Sequence, residues 1–356
     1  MEKILTIFTG GTIGSKAGGG VLDVDRAAGR ELIEGFRKSG GAAAAVDFDV
    51  LRPLDILSEN LLPRHWGAMY RAACHADAGG YAGVIVTHGT DTLPYSAAAM
   101  SCLHAGKKIP LVFVAANLRI SHPESNGPAN FAHAVRFILQ NRIPGVFVVF
   151  RNRRGESIVY LGTRLLSADA VSDQYASYMG ADFGEMRDGM FVRRAAGFGP
   201  DLQALEALER KYDVPATDFP GGVMFVRPYP GLDYSAISLA ENKPSAVLHG
   251  LYHSSTACSA PEESSAVAFA ERCRAQGIDF YMHDGRRCRD ENGVYPSAKA
   301  LLDVGARPLT GISGEAALAK LNVAYNQTAV PPRTYMEENV FFEYVRQPAQ
   351  TDIDCE

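Results

Sequence analysis

Cysteine is scarce in this sequence, and what there is lies scattered. Six cysteines among 356 residues (Cys74, Cys102, Cys258, Cys273, Cys288, Cys355) form no CxxC pair and keep no regular spacing. A disulfide scaffold would be short and cysteine-dense, and a structural zinc site would cluster its ligands, so the pattern argues against both. Thiols in a reducing cytoplasm are the reading that remains. The nine histidines are equally dispersed, without an HExxH pair, and no metal is expected. No charge of one sign dominates. Thirty-five basic residues against forty acidic ones give a formal net charge of −5, which gives no reason to expect nucleic acid as a partner. No apolar run approaches the roughly 20 residues that span a bilayer, so no membrane partner is expected either. Residues 1–8 lack the cationic lead and small-residue cleavage site of a signal peptide and read as a first strand.

What is present is a full complement of core formers. Hydrophobic residues make up 47% of the chain and charged residues 21%, the balance of a globular protein. Apolar strand runs at 3–8, 46–51, 83–87, 110–115 and 145–150 alternate with helix-period segments at 26–38, 63–78, 91–104 and 126–140. Strands apolar along their whole length, separated by helices, indicate a mostly parallel sheet covered on both faces. Residues 147–159 read as a hairpin around the turn cluster Asn152-Arg153-Arg154-Gly155, whose basic tip is a solvated surface. Strand character then fades near Gly197, Gly199, Pro200, Pro215 and Pro220, with room for a short helix at 202–212. A second alternation follows, with strands at 222–227, 246–252 and 279–283 and helices at 261–275, 297–304 and 314–326. Gly277 and Gly305 stand where helix C-terminal glycines belong. The expected organisation is an N-terminal catalytic domain over 1–195, a linker over 196–221 and a C-terminal α/β domain over 222–356.

Three strand ends carry small and hydroxylic residues where ordinary loop residues would do. They are Phe8-Thr9-Gly10-Gly11-Thr12-Ile13-Gly14, Leu54-Asp55-Ile56-Leu57-Ser58-Glu59-Asn60 and Thr87-His88-Gly89-Thr90-Asp91-Thr92. In an open parallel sheet ligands bind at the carboxyl ends of strands, so these segments should share one crevice. Paired glycines admit a ligand close to backbone N–H groups, and a helix starting at Thr90-Asp91 adds further donors. A phosphate is a poor match, since there is no GxxxxGK[ST] and the glycine spacing is not GxGxxG. Acyl transfer suits the set better. One threonine hydroxyl attacks a carbonyl carbon, amides hold the oxyanion, and the second hydroxyl orients a proton or a water. Asp91 offers a carboxylate to a substrate ammonium and Ser58 a donor to a substrate carboxylate.

These residues carry a resemblance. Thr9-Gly10-Gly11-Thr12-Ile13 and His88-Gly89-Thr90-Asp91-Thr92 are similar to the two signatures of the bacterial-type L-asparaginase family. Gly127-Pro128-Ala129-Asn130 matches that family's GPxN segment. Gly305-Ala306-Arg307-Pro308 and Glu315-Ala316-Ala317-Leu318-Ala319-Lys320-Leu321 resemble its C-terminal stretch. The resemblance implies an α/β fold of two domains: a larger N-terminal one with a mostly parallel sheet flanked by helices, and a smaller C-terminal flavodoxin-like one. It implies hydrolysis of asparagine, sometimes glutamine, to the acid and ammonia, with no cofactor. It assigns Thr12 as nucleophile and Thr90 and Asp91 as its catalytic companions. Gly11, Ser58, Glu59, Gly89, Thr90 and Asp91 become the substrate-binding set. The partner is then a small-molecule amide, and the protein a cytoplasmic homo-oligomer, a dimer of dimers with each site completed across the dimer. Residues His253-Ser254-Ser255-Thr256 would make that cross-dimer contribution.

Two departures from the family pattern bear on mechanism. The lid tyrosine is missing from Ser15-Lys16-Ala17-Gly18-Gly19-Gly20-Val21, with Val21 in its place, and the relay lysine is replaced by Ser167. A threonine hydroxyl needs a base or a positive neighbour to become a nucleophile. Lys16 and Arg164 are the nearby cations, but Arg164 stays protonated and cannot serve as a base. Lys16 reads as a solvated loop residue and Arg164 as a structural ion-pair partner. Lesser departures are Asn126 in place of aspartate and Asn117-Leu118-Arg119 in place of Met-Arg-Pro. Trp66 reads as a core anchor, His88 as a backbone hydrogen-bonder that orients its turn, and Tyr95 as a packing residue. The resulting expectation is an asparaginase-type amidohydrolase. The alternative is a catalytically weakened homologue that binds aspartate-like ligands as a sensor or accessory subunit.

Overall fold

A computed structural model describes residues 1–11, 13, 15–18, 21–24, 28–38, 46–194, 199–212, 214, 218–220, 222–239, 243–284 and 294–345, with only the backbone path for 15–18, 21–24, 28, 78 and 284. Thr12, Gly14, Cys288, Cys355 and the Lys16 side chain lie outside the described residues. The chain forms two compact units. The first is Met1–Asp218 together with Val340–Phe342, and the second holds Phe219–Asn339 and the residues from Glu343 onward.

The strands of the first unit are β1 (Glu2–Phe8), β2 (Ser15–Gly18), β3 (Val21–Val24), β4 (Val46–Leu51), β5 (Gly83–Thr87), β6 (Pro110–Val114), β7 (Gly145–Arg151), β8 (Ser157–Leu161), β9 (Gly184–Arg187) and β10 (Met190–Arg193). Its helices are α1 (Ala28–Lys38), α2 (Pro63–Ala73), α3 (Leu93–His104), α4 (Gly127–Asn141) and α5 (Leu202–Ala207). The main sheet runs β10-β9-β8-β7-β6-β5-β1-β4, parallel from β4 to β7 and antiparallel from β7 outward. β5 and β6 are buried at every position, as expected of central strands covered on both faces. Helix α3 is buried except at Tyr95, which explains its apolar character all round. Trp66 is 3% exposed and donates its indole N–H to Ser96 Oγ at 3.1 Å, an anchor as its sequence context suggests.

Three features of this unit are not legible in the sequence. Strands β9 and β10 extend the sheet through a turn at Asp188 and Gly189, both with positive φ, the backbone that a tight hairpin requires. Segments β2 and β3 pair with each other where the sequence reads as a loop. Part of the expected linker belongs to the core: Asp201 caps α5 by accepting from Ala204 N at 2.6 Å, and Leu205 is 2% exposed. A segment from late in the chain also joins this unit, since Thr163 Oγ1 donates to Phe341 O at 3.0 Å and Phe341 is buried.

The second unit is a parallel four-stranded sheet in the order β11 (Val223–Val226), β12 (Ala246–Gly250), β13 (Asp279–Asp284), β14 (Arg307–Thr310). Helices α6 (Ala266–Ala275), α7 (Pro296–Asp303), α8 (Gly314–Ala324) and α9 (Pro332–Glu337) accompany it. Gly277 and Gly305, with φ of 68° and 92°, close α6 and α7 by donating to Arg274 O and Leu302 O, both at 2.9 Å. Among the described residues, no helix is long and apolar enough to cross a membrane.

Candidate active site

The three strand ends do converge. Beyond β1 the chain continues beside the 54–60 segment: Ile56 N donates to Thr9 O, and Gly11 N to Ile56 O, both at 3.0 Å. Thr9 Oγ1 donates to Thr87 O at 2.7 Å and so ties the end of β1 to the end of β5. Glycine is required at this junction. Gly10 and Gly11 have φ of 103° and 76°; a Cβ would stand 2.2 Å from Ile56 O at Gly10 and 2.4 Å from Gly89 N at Gly11. Gly89 is confined in turn, because its own Cβ would lie 2.4 Å from Ser58 Oγ. Thr90 is the next residue after this Gly11–Gly89 contact.

Ser58 is buried and donates its hydroxyl to Asp91 Oδ2 at 2.9 Å, while Thr92 Oγ1 donates to Ser58 O at 2.9 Å. Glu59, in the same helical turn over Ser58–Asn60, is exposed. Thr90 is half-buried and Asp91 exposed. Helix α3 begins at Leu93, two residues later than the sequence pattern places it, with Pro94 in its first turn. Thr90, Asp91 and Thr92 therefore form a turn ahead of the helix and are free to turn their side chains toward the strand ends.

His88 plays the part its context suggests. It is 2% exposed, its Nδ1–H donates to Gly89 O at 2.8 Å, and its backbone N donates to Val114 O at 2.9 Å. Burial pulls its pKa from 6.5 down to about 4, against a smaller upward pull from the Gly89 carbonyl. His104, also buried, is lowered to about 4 by the same cause. The unfolded chain takes up these protons near pH 6.5 and the folded protein does not, so the stability they contribute is present above pH 6.5 and lost as pH falls toward 4. Each imidazole adds a slope of about 1.4 kcal/mol per pH unit in that window. Urea unfolding at pH 7 and pH 5 should show the loss, and His88→Asn should show a smaller one. Equal slopes in the two proteins would refute this account.

One wall of the site is invisible in the sequence. Residues 165–177 fold back on themselves: Leu166 N donates to Ala176 O and Asp169 N to Gln174 O, both at 2.9 Å. The Asp169 carboxylate accepts from Ser172 Oγ and Ser172 N at 2.8 Å, and these bonds hold its pKa below the usual range. Tyr175, 6% exposed, fastens this loop by donating its hydroxyl to Thr90 O at 2.7 Å. Its ring meets Phe150 edge-on at 4.8 Å, and burial raises its pKa. Between loop and strand ends lies a cavity of about 370 Å³ lined by Thr90, Asp91, Asn117, Phe150, Ser167 and Asp169, among others. Ser167, expected from the sequence at the relay position, lines the same space as Thr90 and Asp91. Arg164 is buried. The departures at Asn117 and Asn126 prove to be one unit. Asn117 N donates to Asn126 Oδ1 at 2.9 Å, and Asn126 N donates to Asn117 Oδ1 at 3.1 Å.

Residues 253–256 lie in the second unit, in a turn closed by Tyr252 N donating to Thr256 O at 2.8 Å. Among the described residues, no three His, Cys, Asp or Glu side chains stand together as a metal site.

Comparison with known proteins completes the description. A family model described as Asparaginase, N-terminal matches residues 3–184. The chain is 27% identical over 183 residues to a glutamyl-tRNA(Gln) amidotransferase subunit of Methanococcus maripaludis strain C6, covering 51% of this chain and 43% of that one. It is 32% identical over 164 residues to the L-asparaginase of Thermococcus kodakarensis, covering 46% of this chain and 47% of the relative. The corresponding amidotransferase subunit from Sulfurisphaera tokodaii aligns at 26% over 337 residues, 90% of this chain and 70% of the relative. The match thus spans less than half the length of the first two relatives. Among solved structures, the thermostable L-asparaginase of T. kodakarensis superposes with a TM-score of 0.76 at 23% identity, covering 97% of this chain and 100% of that one. L-asparaginase I of Vibrio cholerae gives 0.74 at 20%, covering 96% and 99%. At these identities the structural likeness concerns the fold.

Proposed function

The chain belongs to the asparaginase family through residues 3–184, and from that premise we propose that it is an amidohydrolase cleaving L-asparagine or a related side-chain amide. The observation that carries this reading is the Ser58–Asp91 pair at 2.9 Å, set beside Thr90 where Gly11 and Gly89 close on each other. Asp91 takes the substrate ammonium. Ser58 has a single hydroxyl hydrogen, now given to Asp91, and a bound substrate carboxylate draws it away. The Thr12 hydroxyl attacks the carboxamide carbon, strand-end amides hold the oxyanion, and Thr90 orients the proton that goes to the leaving nitrogen. Water then releases the acid, so that amide and water yield carboxylate and ammonium. In this reading the protein acts in the cytoplasm as a homo-oligomer, a dimer of dimers with sites completed across the dimer.

The test is ammonia release from L-asparagine by the purified protein. A second reading, a weakened homologue that binds aspartate-like ligands as a sensor or accessory subunit, is favoured by Ser167 standing where the relay lysine belongs. Aspartate binding without ammonia release from any of a panel of amides would select it. The two readings also part on one substitution. General acid–base assistance is worth about 10²–10⁴-fold, so Ser167→Lys should raise kcat for asparagine tenfold or more if the rest of the relay is intact. An unchanged or lower kcat would mean that the site is organised around other groups.

A further inference from the structure

Resting on the amide-hydrolysis reading, we propose that the preferred substrate is a secondary amide, whose leaving nitrogen carries a polar, cationic substituent seated in the cavity beside Thr90 and Ser167. The first reason is size. Asp91, which takes the substrate ammonium, is in the cavity's wall, so the volume of about 370 Å³ holds the whole amide and not the leaving group alone. Pockets of roughly 300–1,000 Å³ take drug-sized ligands, which are larger than free asparagine.

The second reason is position. In the mechanism above Thr90 orients the proton bound for the leaving nitrogen, and Thr90 is a wall of this cavity. Whatever hangs on that nitrogen is therefore directed into it. The third reason is the chemistry of the lining. Thr90 and Ser167 offer hydroxyls, Asn117 a carboxamide, and Phe150 an aromatic surface. Its ionisable side chains are carboxylates: with Asp91 given to the substrate ammonium and Asp173 paired with Arg153 at 2.6 Å, the one left to a substituent is Asp169. Among the described residues, no basic side chain lines this cavity. An amine product, protonated as it departs, is favoured against such a wall, and an anionic one is not. The reaction balances as ordinary hydrolysis. The acyl C–N bond breaks, a C–O bond to water forms, and the nitrogen takes the proton, giving a carboxylate and a substituted ammonium.

The probe is N4-(2-aminoethyl)-L-asparagine, with amine release compared against ammonia release from L-asparagine by the full chain. The expected result is a kcat/KM for the substituted amide at least equal to that for asparagine. A lower value overturns the proposal while leaving the amide-hydrolysis reading in place. Cleavage of neither compound overturns that reading and the proposal together. Ala168, on the cavity wall but outside the groups that handle asparagine, supplies the variant. Ala168→Phe should lower kcat/KM for the substituted amide tenfold or more and leave asparagine unchanged. Equal effects on both substrates, or none on either, place the substituent elsewhere and refute the proposal.

Discussion

Thr12→Ala abolishes ammonia release from L-asparagine, with a fall in kcat on the order of 10⁴-fold or more, while aspartate still binds. The split follows from the division of labour at the strand ends. In the proposed mechanism Ser58 and Asp91, joined by a 2.9 Å bond, hold the ligand's charged groups from two other segments. Only the covalent step requires the alcohol that follows Gly11. Thr90→Val should give a loss of the same kind but smaller, since it removes proton handling and leaves the nucleophile. Calorimetric titration with aspartate and a continuous ammonia assay measure the two quantities separately. A Thr12→Ala protein that retains a tenth or more of the activity would remove that residue from the chemistry and leave the assignment of a nucleophile empty.

Gly11→Ala unfolds or severely destabilises the protein, by about 2–5 kcal/mol, and lowers activity even where folding survives. The methyl group would sit 2.4 Å from Gly89 N and 2.5 Å from Gly89 Cα, on a backbone with φ of 76°. Neither neighbour is a flexible side chain that can swing aside. Relief requires the β1 end and the β5 end to separate, and those are the segments that carry Thr12 and Thr90. Gly35→Ala is the matching control. Gly35 lies exposed inside α1, with nothing within 4 Å of an added Cβ. That change should stabilise by about 0.5–1 kcal/mol. Thermal melts of the two variants compare them directly. Similar melting temperatures would show that the crossing of strand ends is looser than described.

The parallel core is open to reading because its strands are apolar along most of their length. The runs at 46–51 and 83–87 have the same bounds in sequence and structure. The strands that escape notice lack that signature. β9 places Glu185 and Arg187 among its four residues, and its clearest signal is the Asp188-Gly189 turn that follows. β14 contains Pro308, which removes a ladder donor, and it lies at the sheet's edge where that loss is tolerated. The same contrast holds in the site. Gly10, Gly11, Ser58, Gly89 and Asp91 can be singled out because small or charged residues at strand ends have few structural uses. Tyr175 cannot. Nothing in the residues beside it marks a role, and only the folding back of residues 165–177 gives its hydroxyl the Thr90 carbonyl. The Asn117–Asn126 pair likewise reads as two separate departures, because nothing in linear order shows that their amides answer each other.

The return of Val340–Phe342 to the first unit has a consequence for biosynthesis. Residues through Asp218 leave the ribosome well before Phe341 is made. Until then the Thr163 hydroxyl lacks its acceptor, and the pocket for the Phe341 ring stands open. The first unit therefore cannot have its complete set of contacts until most of the second has been translated.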